Sequence, residues 1–285
     1  MAGILYVVAT PIGNLEDVTL RALRILRDVS LIAAEDTRRT ARLLQHYSIS
    51  TRTTSLHEHN EREKTTKLIE RLRGGESIAL VSDAGTPLIS DPGQMLVAAA
   101  RDAGIRVEAV PGPSAVMAAV SASGLPAAPF TFLGFPPNRS KDRAAWFDIL
   151  GRQRALCVFF EAPHRFRQAL DDLERVFGPD HHVGVGRELT KAHEELVIRP
   201  IHALRAHFIE PKGEFVLLVP PAKETSVESI PLPSAAELRI ELWHITETTG
   251  AKGRGALKIL AERYGRPVNA LYELIAADRN RGHKT

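Results

Sequence analysis

The sequence predicts an α/β protein built largely on a parallel sheet, and three observations support this fold class. Short apolar runs alternate with amphipathic stretches over the first 220 residues. The runs lack alternating polar residues, and turns rich in Pro and Gly follow several of them. A strand that is apolar throughout is buried on both faces, as in a parallel sheet covered by helices. Strands that alternate with helices complete this α/β prediction.

Four strands are predicted in the first part of the chain, at residues 4–9, 31–34, 78–82 and 107–110. Helices are predicted between them, because apolar residues there recur at helical spacing. The first helix follows the potential cap Thr19, and the third ends before the glycines at 74–75. The three apolar faces are Leu20, Leu23, Leu26 and Val29; Ala41, Leu44 and Tyr47; and Leu68, Ile69 and Leu72.

A second α/β domain is predicted after a junction near the turn at residues 111–114. Its predicted helices are 115–123, 141–150 and 165–177. Its predicted strands are 130–133, 156–160, 183–187, 194–199 and 214–219. The predicted domain boundaries are 1–113 for the first domain and 114–221 for the second.

A linker at 222–233 and a helical tail at 234–285 are predicted to follow. The linker region is rich in Pro, Ser, Lys and Glu. The tail carries helical patterns at 234–247, 254–264 and 268–277. Residues 250–285 contain eight Lys and Arg against three Asp and Glu, while the whole chain has a net charge of +3. A basic tail on a nearly neutral body indicates a polyanionic partner or merely a solvated surface.

Composition excludes several classes of protein. No apolar stretch approaches the ~20 residues of a membrane-spanning helix, and the N-terminus lacks the basic region of a signal peptide. The single cysteine, Cys157, excludes an intramolecular disulfide and a Cys-rich zinc site. The histidines form no metal-binding pattern, so no metal is expected. These features predict a cytoplasmic protein without a membrane partner.

Three loops at strand ends predict a ligand-binding cleft. They span residues 9–15, 81–93 and 111–115, and each is rich in Gly or Pro. In open α/β sheets, ligands bind beyond the carboxyl ends of the strands. The chain has neither a G-x-G-x-x-G fingerprint after its first strand nor a phosphate-binding P-loop. NAD and ATP are therefore not expected as the main ligand.

The motifs in these loops resemble those of the ribosomal RNA small-subunit methyltransferase I family, within the tetrapyrrole methylase superfamily. The resemblance covers residues 3–220 with its motifs in order. It is carried by residues 10–17, 34–38, 82–93, 111–115, 160–165 and 187–191. It implies a two-domain architecture with a mostly parallel first sheet, a mixed second sheet and a small helical C-terminal extension.

The resemblance also implies S-adenosylmethionine as cofactor, bound in the cleft between the two domains. Thr86 stands where the tetrapyrrole enzymes commonly carry Asp, and Asp83 could supply that carboxylate from upstream. The implied cofactor-binding residues are Pro11, Gly13, Asp83, Gly85, Thr86, Pro87, Leu88, Ile89, Ser114, Ala115, Phe160, Glu161, Gly213, Glu214 and Phe215.

The implied reaction is methylation of the 2′-hydroxyl of a cytidine in the decoding region of 16S rRNA. Such a hydroxyl needs a base or a nearby cation to lose its proton. The candidates are Glu161, His164, Arg165, Arg187, Glu188 and Lys191. Glu188 or Lys191 is preferred as the base, and a lysine requires a lowered pKa for this role. The two arginines fit better as clamps for phosphate or carboxylate.

Two alternatives remain open at this point. One is a C-methylase that acts on a tetrapyrrole, and the other is a non-catalytic RNA-binding factor in ribosome assembly. The expected partner is 16S rRNA or the small ribosomal subunit, with the tail contributing phosphate contacts. The superfamily resemblance further implies a homodimer.

Overall fold

The structure is a computed structural model that describes residues 2–222, 233–251, 253–264 and 266–281. The chain divides into two compact units, Met1–Pro221 and Ala222–Thr285. The predicted linker, 222–233, lies outside the described residues except at its two ends. Lys252 and Lys284, two of the basic residues counted in the tail, also lie outside them.

The first sheet is parallel throughout, as predicted. Its strands lie in the order β3-β2-β4-β1-β5, and every neighbouring pair runs in the same direction. Strands β2 and β4 are buried at every position, which explains their uninterrupted apolar sequences. The strands are β1 (Ile4–Val8), β2 (Leu31–Ala34), β3 (Thr53–Ser55), β4 (Ile78–Val81) and β5 (Arg106–Val110).

Four helices cover the two faces of this sheet. They are α1 (Leu20–Asp28), α2 (Thr37–His46), α3 (Glu61–Arg73) and α4 (Gln94–Asp102). Thr19 caps α1, since its side chain accepts a hydrogen bond from the Ala22 amide. Apolar residues of α1 and α2 pack with Ile32 and Val81, whereas those of α3 and α4 pack with Leu31 and Leu80. Adjacent strand residues thus point into separate cores on opposite faces.

The second sheet is mixed, as the resemblance implied. Its strand order is β6-β7-β10-β8-β9; β6 and β7 are parallel and the other pairs antiparallel. Its core includes the fully buried rings of Phe147, Phe159, Phe166 and Phe215. The elements are α5 (Ala115–Ser123), β6 (Phe130–Phe132), α6 (Ser140–Leu150), β7 (Leu156–Glu161), α7 (Phe166–Phe177), β8 (His182–Arg187), β9 (Glu195–Pro200), α8 (Ile201–His207) and β10 (Phe215–Val219).

The described residues of the second compact unit form three helices, α9 (Ala235–Thr249), α10 (Arg254–Tyr264) and α11 (Val268–Arg281). Ser234 and Glu237 form a capping box at the start of α9. The helices share a small apolar core that includes Leu238, Leu260 and Leu271. Among the described residues, no helix is both long and apolar enough to cross a bilayer.

Three elements were not predicted from the sequence: β3, α4 and α8. Strand β3 is a three-residue edge strand of Thr and Ser, so it has no apolar pattern. Helix α4 begins after Gly93, and its sequence is apolar or small on most sides, which obscures the helical period. Helix α8 has seven residues, which is less than two full helical turns. A helix this short does not show a recognisable apolar period in the sequence.

Candidate active site

A cavity of about 420 Å³ lies at the carboxyl edge of the first sheet. Loops after β2, β4 and β5 line one side, and the ends of β7 and β10 line the other. This edge is where open α/β sheets bind ligands, and the volume is that of a small-molecule site. The predicted cofactor-binding residues that line it are Asp83, Gly85, Thr86, Ile89, Ser114, Ala115, Phe160, Glu161, Glu214 and Phe215.

A second cavity, of about 330 Å³, adjoins the first. We call these the first and second cavities. Two of the predicted cofactor-binding residues, Pro11 and Gly13, line the second cavity instead of the first. Pro87, Leu88 and Gly213 line neither of the two.

The loop between β4 and α4, residues 82–93, is held in an unusual backbone conformation. Its φ angle is positive at Gly85 (84°), Leu88 (71°), Ser90 (69°) and Gly93 (118°). Two of these are non-glycine residues, for which this region costs about 1–3 kcal/mol each. Such strain clusters at ligand-binding sites, where the surrounding contacts must maintain it.

Hydrogen bonds attach this loop to its neighbours. Thr10 and Gly85 exchange two backbone hydrogen bonds of 2.9 Å each. The Thr86 hydroxyl donates to the Pro113 carbonyl at 3.2 Å. Thr86 therefore joins the second of the three predicted loops to the third.

Five carboxylate residues line the first cavity: Glu35, Asp83, Asp91, Glu161 and Glu214. Asp83 accepts a hydrogen bond from the Asp36 amide at 2.8 Å and lies 3.5 Å from the Arg39 guanidinium. Burial, followed by the charge of Asp83, raises the pKa of Glu35. Burial raises the pKa of Asp91 to about 6, against a hydrogen bond from Ser82 that lowers it.

Glu35 and Asp91 were not among the predicted site residues, although both belong to motifs identified in the sequence. Glu35 directly follows β2, and Asp91 lies in the loop between β4 and α4, so both belong to loops at the ligand-binding edge of the sheet. That position is the signal that could have identified them. Their proximity to Asp83, from which the raised pKa values partly arise, is a property of the folded chain.

Glu161, at the end of β7, is almost completely buried at 2% exposure. The Arg143 guanidinium donates to it at 3.1 Å, and the Ala162 amide donates to its other oxygen at 2.9 Å. Arg143 also donates to Asp172 at 2.7 Å. Glu161 thus lines the first cavity as part of a buried ionic network.

Arg165 and His164 lie beside this network but do not line the first cavity. Arg165 donates hydrogen bonds to the carbonyls of Pro136 and Pro137 at 2.9 and 2.8 Å. These bonds hold the loop between β6 and α6 against the short helix that starts at Pro163. His164 is exposed in that same turn.

Glu188 and Lys191 form an ion pair of 2.8 Å, and Lys191 also contacts Glu214 at 2.9 Å. Burial disfavours the charge on Lys191, but hydrogen bonds to Glu188 and Glu214 outweigh it and raise its pKa. Burial likewise opposes ionisation of Glu188, but bonds from Lys191 and the Glu214 amide hold its pKa below the usual value. Both groups are therefore charged at neutral pH. Lys191 lines the second cavity.

Arg187 interacts with residues that line neither cavity. Its Nε donates to the Lys212 carbonyl at 2.8 Å, and its guanidinium lies 3.8 Å from Glu195. The described residues contain no cluster of His, Cys, Asp and Glu that could hold a metal ion.

Comparison with known proteins supports the resemblance seen in the motifs. Residues 4–205 match the model of the family described as Tetrapyrrole (Corrin/Porphyrin) Methylases. A relative from Vibrio cholerae, named Ribosomal RNA small subunit methyltransferase I, is 45% identical over 95% of this chain and 94% of its own. A relative of the same name from Synechocystis is 44% identical over 95% of this chain and 97% of its own.

A solved structure, the uroporphyrin-III-C-methyltransferase from Thermus thermophilus, has the same fold. It superimposes with a TM-score of 0.57 at 22% identity, over 77% of this chain and 95% of that one. The chain therefore belongs to the tetrapyrrole methylase family and, within it, to the ribosomal RNA small subunit methyltransferase I group.

Proposed function

We propose that the chain transfers a methyl group from S-adenosylmethionine to ribosomal RNA, and specifically to the 2′-hydroxyl of a cytidine in 16S rRNA. The first part rests on the curated relatives, which are named as methyltransferases of small-subunit ribosomal RNA and match nearly the whole chain. The observation that carries the chemistry is the first cavity, which combines apolar side chains with five carboxylates.

The residues of the first cavity fit S-adenosylmethionine, the methyl donor of this family. Ile89, Phe135 and Phe160 offer apolar surface for an adenine ring. The carboxylates Glu35 and Asp83 offer negative charge to a cofactor that carries a positive sulfonium and an ammonium group. The cofactor supplies an electrophilic methyl group, so the protein contributes mainly position and proton removal.

Proton removal from the acceptor hydroxyl needs a group that is ionised yet basic near neutral pH. Asp91 has these properties, because its pKa is about 6 and its carboxylate lines the first cavity. Glu188 and Lys191, the bases preferred from the sequence, are held as an ion pair. We therefore propose Asp91 as the proton acceptor, with Glu188 and Lys191 maintaining the loop beside Glu214.

The test is methyl transfer by the purified chain from labelled S-adenosylmethionine. The acceptors are free 16S rRNA and small subunits from cells that lack this methyltransferase, with uroporphyrinogen as a third acceptor. We expect label in rRNA, at one cytidine whose 3′ linkage becomes resistant to alkali because its 2′-oxygen is methylated. Label on the base, or in the porphyrinogen alone, contradicts the proposal.

A calorimetric titration with S-adenosylmethionine separates an enzyme from a non-catalytic assembly factor, which would show no binding. The boundary at residues 113/114, the cytoplasmic location and the homodimer stay predictions. Light scattering of the purified chain checks the last of these.

A further inference from the structure

The second cavity shares a wall with the first. Ile12, Arg39, Asp83, Ala84 and Glu214 line both cavities. A group bound in the second cavity is therefore separated from the first by single side chains. If the first cavity holds the methyl donor, the second is placed to hold part of the acceptor.

Basic side chains distinguish the second cavity. Arg39 and Arg42 line it from α2, and Lys191 lines it from the loop after β8. Arg39 and Arg42 are three residues apart on one helix, so they lie on the same face. The hydroxyl-bearing residues Thr10, Thr40 and Ser82 add to the polar lining.

The charge of Arg42 is not compensated by the protein. Within the described part of the chain, the Arg42 side chain makes no hydrogen bond or ion pair. Among the described residues, the Arg39 side chain makes one ion pair, 3.5 Å to Asp83, and 61% of this side chain is exposed. By contrast, Lys191 is paired with both Glu188 and Glu214.

The two arginines that the sequence analysis predicted as ligands for phosphate or carboxylate already donate hydrogen bonds to backbone carbonyls of the protein. Arg165 holds the carbonyls of Pro136 and Pro137, and Arg187 holds that of Lys212. This leaves Arg42 as an unpaired guanidinium at the cleft, with Arg39 beside it. A planar guanidinium pair is suited to the oxygens of a phosphate.

We propose that the second cavity binds a backbone phosphate next to the methylated nucleotide, with Arg42 as its main ligand and Arg39 assisting. This inference rests on the proposed function, because it assumes that the acceptor is RNA. The contact fixes the acceptor strand beside the shared wall. It would position the ribose toward the first cavity without touching the methyl donor.

The test compares Arg42→Gln with Arg101→Gln in the full-length chain. Arg101 lies in the last turn of α4, is exposed and lines neither cavity, so its replacement is a control for loss of one charge. Binding of 16S rRNA is measured at several KCl concentrations. We expect Arg42→Gln to weaken binding about tenfold and to reduce the slope of log affinity against log salt by roughly 0.7–0.9.

Two further measurements make the result specific. Arg42→Lys keeps the charge but loses the bidentate geometry, so it should retain the salt slope and lose only part of the affinity. The affinity of Arg42→Gln for S-adenosylmethionine, from calorimetry, should equal that of the wild type. A loss of cofactor affinity would place Arg42 at the donor instead and overturn the inference.

The inference and the proposed function fail in different ways. A wild-type chain that transfers no label to rRNA overturns the proposed function. An active wild type whose Arg42→Gln variant has the same salt slope and the same KM for RNA as Arg101→Gln overturns the phosphate site alone.

Discussion

Replacing Arg143 by Met tests the buried network beneath the first cavity. Arg143, on α6, is 2% exposed and bonds to both Glu161 and Asp172. Its guanidinium also lies 5.1 Å from the centre of the Phe147 ring. Methionine keeps the aliphatic part of the side chain and removes the charge. The substitution therefore leaves Glu161 as a buried carboxylate without its nearest cation.

Breaking a buried ion pair costs about 3–5 kcal/mol, since the remaining charge has lost its water and its partner. Glu161 retains the Ala162 amide at 2.9 Å and the Arg165 guanidinium at 3.6 Å. Asp172 is partly exposed and can be hydrated. These features place the expected loss of unfolding free energy at the lower end, about 3 kcal/mol.

The fluorescence of Trp146 during urea unfolding measures this loss. The Trp146 ring packs against Phe147 and Phe159 at centroid distances of 5.0 and 5.2 Å, so it reports on the same core. The other tryptophan, Trp243, is exposed and is replaced by Phe in all variants.

Arg175→Met is the matched control. Arg175 pairs with Asp148 at 2.7 Å between α7 and α6, with both side chains about half exposed. Exposed pairs contribute about 0–1 kcal/mol. Equal losses for Arg143→Met and Arg175→Met would refute the reasoning. Adding Glu161→Gln to Arg143→Met should recover part of the loss, because the unpaired charge is removed.

Other substitutions test charges and contacts at the cleft. Lys191→Arg should keep single-turnover methylation within about tenfold of wild type, whereas loss of a general base costs about 10²–10⁴-fold. Because the native pKa of Asp91 is about 6, above that of the unfolded chain, the wild type should lose stability relative to Asp91→Asn as pH rises from about 4 to 6. Urea unfolding of both proteins at about pH 4.5 and 7.5 measures this, and a difference independent of pH contradicts the shift. Gly13→Ala would place a Cβ 2.4 Å from Lys191 Cγ and 3.0 Å from the Leu189 carbonyl oxygen, so overpacking should cost about 1–3 kcal/mol. An unchanged Tm for this variant would show that the contact relaxes freely.

Local sequence patterns were sufficient to predict most of the fold. The continuous apolar runs of β2 and β4 reflect burial on both faces, and the spacing of Leu23 and Leu26 reflects one face of α1. Residues on the buried face of a strand or helix recur at a fixed period, so the pattern of consecutive residues predicts which face is buried. Where the pattern was short or uniform, as in β3 and α4, this information was missing.

The position of the ligand cleft could also be predicted, because loops after parallel strands meet at one edge of the sheet. The motifs in those loops indicated the family, which the comparisons confirmed. They also predicted Asp83, Gly85 and Thr86 as cofactor-binding residues, and these three residues line the first cavity.

Only the tertiary structure decided the charge state and the partners of the polar residues. The loop at 82–93 was predicted as a cofactor wall, but the raised pKa of Asp91 depends on its burial and on the nearby charge of Glu35. Glu161 is hydrogen-bonded to Arg143, which is 18 positions away in the sequence, and Lys191 is hydrogen-bonded to Glu214, which is 23 positions away. Burial and electrostatic interaction depend on such distances in space, which no local pattern encodes. The sequence alone therefore predicted where the cleft lies and which loops form it. The folded chain determined which residues line the cleft, which of them are paired and which, like Arg42, are not.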